Sequence, residues 1–107
     1  MFHSHGCKHE SLHGYQLLVQ VGRWFRSLES RRPDSGLLDQ GRRASQSAVL
    51  NLAEGCYRTG KDRRYHLRVA QGSAAEAVAV LDLLTADDAA EQQQSLRRAV
   101  AMVEGLL

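Results

Sequence analysis

The sequence predicts an all-α chain folded as an up-down-up-down antiparallel four-helix bundle. Three observations carry that expectation. Apolar residues recur at alternating steps of three and four along four separate stretches, the period of one face of an α-helix. The chain holds a single Pro and only two Phe against long Ala, Leu and Val periodicity. Short connections separate the stretches, which favours antiparallel packing of neighbours.

The first helix is expected from about Ser11 to Glu29. Leu18, Val21, Phe25 and Leu28 form its seam, and Leu17 and Trp24 widen it. Arg31-Arg32-Pro33-Asp34-Ser35-Gly36 stops it, because Pro and Gly favour a turn. The second helix spans about Leu37 to Tyr57, with Leu38, Ala48 and Leu52 on an apolar face. The third, about Gly60 to Leu84, has the cleanest seam: Leu67, Ala70, Ala74, Ala77, Leu81 and Leu84. The fourth, about Ala89 to Leu106, repeats it with Leu96, Ala99, Val103 and Leu106.

With Thr59 and Gly60 as the bend, antiparallel partners on helices two and three have residue numbers summing to roughly 120. Ala48 then faces Gly72, Ser47 faces Ser73, and Arg43 lies near Glu76. Small residues opposite one another let the backbones approach, so Gly72→Leu is expected to overpack at about 1–3 kcal/mol.

At 107 residues the chain is one domain. Residues 1–10 read as a flexible His-rich tail and residues 11–107 as the bundle. A hydrophobic share of 43 % with 24 % charged residues is ordinary for a soluble globular protein. No run approaches the ~20 apolar residues that span a bilayer, and MFHSHGCKHE lacks the apolar core of a signal peptide. Two cysteines, Cys7 and Cys56, point to reduced thiols, hence a cytoplasmic location with no membrane partner.

A net charge of +2 and a pI near 8.8 permit nucleic-acid binding without demanding it. Distribution matters more. Arg58, Lys61, Arg63, Arg64 and Arg68 gather around one connection, whereas Asp82, Asp87, Asp88 and Glu91 gather around the next, at the opposite end of a bundle. The basic cluster interleaves its cations with Tyr57, Tyr65 and His66. Guanidinium groups bind phosphate bidentately, and Tyr or His stacks on unpaired bases. Arg63 and Arg64 also sit near a helix N-terminus, where the macrodipole disfavours exposed positive charge by about 0.3–1 kcal/mol each. The competing reading is a solvated end whose arginines pair with Glu54 and Asp62.

Other motifs carry less. Gly55-Cys56-Tyr57-Arg58-Thr59-Gly60-Lys61-Asp62 matches a phosphate loop except for Asp in place of Ser or Thr. Its first Gly lies inside a helix and no strand precedes it, so Thr59 reads better as an N-cap with Asp62 completing a capping box. His3, His5, Cys7 and His9 are good zinc ligands, but H-x-H-x-C-x-H lacks the paired-ligand loops of structural zinc sites. Adventitious binding by a tail is the simpler reading. The single Glu-x-x-His at Glu10 and His13 has no second copy to build a di-iron centre. No catalytic triad is present, and Cys56 reads as a small core residue. Neither enzymatic activity nor a cofactor is expected.

On the second helix Gln40, Arg43, Ser47, Asn51, Glu54 and Arg58 follow one another at steps of three and four on one face. With Ser73 and Glu76 from the third helix they form either a ligand face or an internal network that fixes register. The internal network is the preferred reading for Ser47, Asn51, Ser73 and Glu76, since polar groups among small residues are usually satisfied internally. Arg43, Ala44, Ser47, Asn51, Leu52, Ala53, Glu54 and Gly55, followed by Ala70, Gly72, Ser73 and Glu76, resemble the four-helix-bundle family associated with intervening sequences of bacterial 23S rRNA. That family carries R-aa-S-x3-N-I-A-E-G on its second helix and A-x-G-S-x2-E on its third. Leu52 stands here for Ile, the connection between the motifs is one residue shorter than the common form, and the His-rich start has no counterpart.

The resemblance implies the fold strongly and function weakly. It extends distantly to accessory proteins of diversity-generating retroelements, basic bundles that form pentameric rings and bind a reverse transcriptase and nucleic acid. By that likeness the chain is expected to be a non-enzymatic homopentamer that binds nucleic acid, structured RNA above all, and a partner such as a reverse transcriptase. Leu17, Val19, Trp24 and Phe25 cover more of the first helix than one seam buries, consistent with an oligomer contact. The rival function is a protein-interaction adaptor that binds no nucleic acid.

Overall fold

The apolar seams form four helices: α1 (His13–Arg31), α2 (Gly36–Cys56), α3 (Gly60–Leu83) and α4 (Ala89–Leu106). The structure is a computed structural model, and it describes residues 9, 12–32, 36–84 and 89–107. No strand occurs among the described residues. The helices pack into a rod of 44 × 21 × 21 Å. Each packs against its neighbours in sequence, and α1 also meets α4, which closes the ring around one core.

The ends depart slightly from the sequence pattern. Helix α1 begins at His13 and continues through Arg31, beyond the expected Glu29. The Arg32 N–H donates to the Glu29 carbonyl at 3.1 Å and ends it. Helix α2 stops at Cys56, where Tyr57 N–H bonds to Glu54 O and Arg58 N–H to Gly55 O in a tightened last turn. Gly60 then opens α3 with φ +57°, a left-handed value that only glycine adopts at little cost. Thr59 does precede α3 in an extended conformation, but its side chain makes no cap hydrogen bond. The expected capping box is therefore not formed; the Thr59 carbonyl instead accepts the Arg63 N–H at 3.3 Å.

Leu18, Val21 and Phe25 of α1, Leu38, Ala48 and Leu52 of α2, Leu67, Ala70, Ala74 and Ala77 of α3, and Leu96, Ala99 and Val103 of α4 are all fully buried. Phe25 and Leu17 thus belong to this chain's own core, not to the surplus apolar surface expected on α1. The core admits the Phe25 ring because Gly41 faces it, and a Cβ at position 41 would collide with that ring. The fully buried Ser45 donates back to the Gly41 carbonyl at 2.8 Å. Among the described residues no buried side-chain N or O lacks a partner, as expected of a well-satisfied interior.

Arg42 of α2 forms an ion pair with α1 and another within its own helix. Arg42 Nε meets Glu29 at 2.7 Å while its Nη2 meets Asp39 at 2.7 Å. The hydrogen bond from Arg42 holds the Asp39 carboxyl below its ordinary range.

Cys56 is buried, as expected of a core residue, but its sulfur is disulfide-bonded. No described cysteine is a free thiol, so the expectation of reduced thiols does not hold, and the cytoplasmic location loses that support. The bond's other half lies outside the described residues, as does Cys7.

Candidate nucleic-acid interface

Two polar stripes flank the α2–α3 hairpin. The first lies in the seam. Ser47 Oγ and Ser73 Oγ are 2.8 Å apart, the pairing expected from the register. Asn51 Nδ2 donates to the Ser47 carbonyl at 2.9 Å, leaving Asn51 Oδ1 to accept from His66 Nδ1 at 3.0 Å. That acceptor places the hydrogen of a neutral His66 on Nδ1 and makes Nε2 the ring's acceptor. The sequence groups His66 with the basic cluster, yet its place is in this network. A signal for it exists: His66 lies seven residues before Ser73, hence on the same face of α3.

The remaining members of the expected network are elsewhere. Arg43 is 70 % exposed at its side chain and pairs with Asp39 at 3.4 Å, not with Glu76. Glu76 is exposed. Glu54 is also exposed and binds Arg58, at 2.6 Å to Nε and 2.5 Å to Nη2. Gly72 is exposed, and a Cβ there would meet nothing within 4 Å. The expected close approach of Ala48 to Gly72, with its overpacking cost, is therefore wrong. The glycine at a tight α2–α3 approach is Gly55, against Leu67.

The second stripe is on the outer face of α3. Lys61, Arg64, Tyr65, Arg68 and Val69 line a shallow groove, because steps of three and four bring them together. Tyr65 is 63 % exposed and meets the His66 ring edge-on. Among the described residues Lys61, Arg64 and Arg68 have no carboxylate within salt-bridge distance, whereas Arg58 is held by Glu54. Arg63 stands apart from the groove and is half-buried. So the structure assembles four of the six sequence-selected residues, Lys61, Arg64, Tyr65 and Arg68, and separates Arg58 and Arg63 from them. Their chemistry is three cations on long side chains beside an exposed aromatic face, suited to phosphate and an unpaired base.

Of the metal candidates, His3, His5 and Cys7 lie outside the described residues. The Nδ1 of His9 is 3.1 Å from Tyr57 Oη, and its ring packs edge-on against Tyr15 and Tyr57. No cluster of three metal-ligating side chains occurs among the described residues. No helix among them is long and apolar enough to cross a membrane.

The helices and the groove define a small helical-bundle protein with a cationic groove on α3 whose Lys61, Arg64 and Arg68 have no ion-pair partner among the described residues. Residues 12–105 match the family described as 23S rRNA-intervening sequence protein, and the chain belongs to that family. No curated protein and no solved structure matches the chain.

Proposed function

We propose that this chain is a non-enzymatic, up-down-up-down antiparallel bundle that self-associates and binds structured RNA through the outer face of α3. Lys61, Arg64 and Arg68 contact phosphates there, and Tyr65 stacks on an unpaired base. The observation that carries the reading is the set of three clustered cations, without a carboxylate partner among the described residues, beside an exposed tyrosine. Solvating such a cluster costs little, but like charges at helical spacing repel by a few tenths of a kcal/mol each, which an anionic ligand relieves. The family's association with intervening rRNA sequences points the same way. Antiparallel packing is supported by side-chain bonds that rise along α2 from Ser47 to Asn51 while falling along α3 from Ser73 to His66.

Self-association draws support from a groove between α1 and α2, where Val19 and Val49 flank Leu50, which is 59 % exposed. Five subunits is the preferred number on the likeness to the retroelement accessory proteins. In a ring, the α3 faces repeat and weak contacts add by avidity.

Titrating RNA binding against salt tests the proposal. Removing one phosphate contact lowers the magnitude of the salt slope by about 0.7 for a single strand. Arg64→Gln with Arg68→Gln is expected to weaken binding far more than Arg97→Gln with Arg98→Gln, two exposed arginines of α4. Equal weakening would mean that binding follows total charge. No RNA binding by the wild type at low salt would leave the adaptor reading.

A further inference from the structure

The outer face of α3 changes sign along its length. Its N-terminal half presents Lys61, Arg64 and Arg68, and its C-terminal half presents Glu76 and Asp82, all exposed. Between them lie exposed Gly72 and Ala75, with exposed Ala79 separating the two acids, so the middle of the strip carries little side-chain bulk. Two large side chains flank this centre, Tyr65 before it and Leu83 after it, the latter 71 % exposed.

We infer that this face is self-complementary and pairs with a second copy of the chain, α3 against antiparallel α3, about a two-fold axis near Gly72. In that arrangement residue numbers facing each other sum to about 146, and residues on one flank of the strip meet the same flank of the copy. Arg64 then faces Asp82 of the second molecule, and Arg68 reaches its Glu76. Tyr65 packs over Ala79 and Leu83 of the copy. Gly72 lies beside its own equivalent, where the absence of any atom within 4 Å of its Cβ position leaves room for a neighbouring backbone. Asp82 accepts a hydrogen bond from Gln93 of α4 through Oδ1.

Charge complementarity selects the occupant. An inverted copy meets the basic half of the strip with its acidic half and the acidic half with its basic half, so that both are matched in one contact. The inference stands independently of the RNA reading. Where both hold, RNA and the second copy compete for Arg64 and Arg68.

Two experiments on the full chain test it. With Gly72→Cys, mild oxidation is expected to yield a covalent dimer far faster than with Ala101→Cys, an exposed control on α4. Crosslinking no faster than the control overturns the two-fold axis. Sedimentation of Arg64→Asp and Asp82→Arg, each alone, is expected to give half the wild-type assembly mass at equal concentration. Each places like charges together and weakens the pairing by at least about tenfold. The double variant restores opposite charges and is expected to recover the wild-type mass. A double variant as small as the singles, or singles as large as the wild type, overturns the pairing. Because Asp82→Arg leaves Lys61, Arg64, Tyr65 and Arg68 in place, its RNA binding reports separately on the proposed function.

Discussion

The seam stripe of Ser47, Asn51, His66 and Ser73 and the outer stripe of Lys61, Arg64, Tyr65 and Arg68 share one hairpin. In the seam stripe every side chain is partly buried and each makes at least one hydrogen bond to another member. In the outer stripe the cations find no carboxylate among the described residues, and the aromatic ring is open to solvent. Polar spacing alone does not separate the two cases. Partnership does: a satisfied group holds register, and an unsatisfied cluster is available to something outside the chain.

The largest effect on this contrast comes from breaking the seam. Asn51→Leu removes the acceptor for His66 and the donor to Ser47, and is expected to destabilise by about 1–3 kcal/mol. Denaturant titration measures it, and Arg64→Gln in parallel should stay within about 0.5 kcal/mol, as exposed substitutions do. Comparable effects would erase the distinction between the stripes.

A smaller effect of opposite sign sharpens it. Gly72 lies in the outer face with free space around it, so Gly72→Ala gains helix propensity and is expected to stabilise the monomeric unit by about 0.5–1 kcal/mol. A lower melting temperature at a concentration where the chain is monomeric would place Gly72 in a packed contact within the chain.

The smallest effect concerns Asp39, an exposed acid that is partnered. Folding lowers its pKa below the ordinary 3.8 through the hydrogen bond from Arg42. The folded state therefore binds the proton less readily than the unfolded chain. Its contribution is present above the unfolded value and disappears as pH falls through the lowered one. Asp39→Asn should reduce the acid-side drop in melting temperature, and 1 M salt should shrink the difference, since the Debye length is then about 3 Å. An acid limb unchanged by Asp39→Asn would show that this pair adds nothing to stability.

Much of the fold was legible because burial follows period. The seams of Leu67, Ala70, Ala74 and Ala77, and of Leu96, Ala99 and Val103, are alternating steps that a helix turns inward whatever its neighbours. The Ser47–Ser73 register followed from a short bend. The partners of long charged side chains did not. Arg43 reaches back to Asp39 on its own helix, although the register placed it near Glu76, because a flexible side chain takes the nearest carboxylate. Gly72 misled for a related reason. A small residue in a motif is equally compatible with close packing and with an open face, and only the rotation of the helix decides. Phe25 lies inside, as its place in the α1 seam predicts, and the gap above Gly41 accommodates a ring that the crowded pattern of α1 also counted toward an oligomer surface.

The packing of α1 on α4, where Met102 lies over Gly14, differs in kind from the other three helix pairs. Those join helices adjacent in the chain, so each forms by closing a small loop, a step that takes tens to hundreds of nanoseconds. Joining α1 to α4 must bring together segments separated by most of the sequence, and its entropy cost is the largest. Low contact order sets a folding time in the microsecond to millisecond range for such a topology. Within it, docking of α4 on α1 is expected to lock last, so that substitutions at Met102 should speed unfolding more than they slow folding.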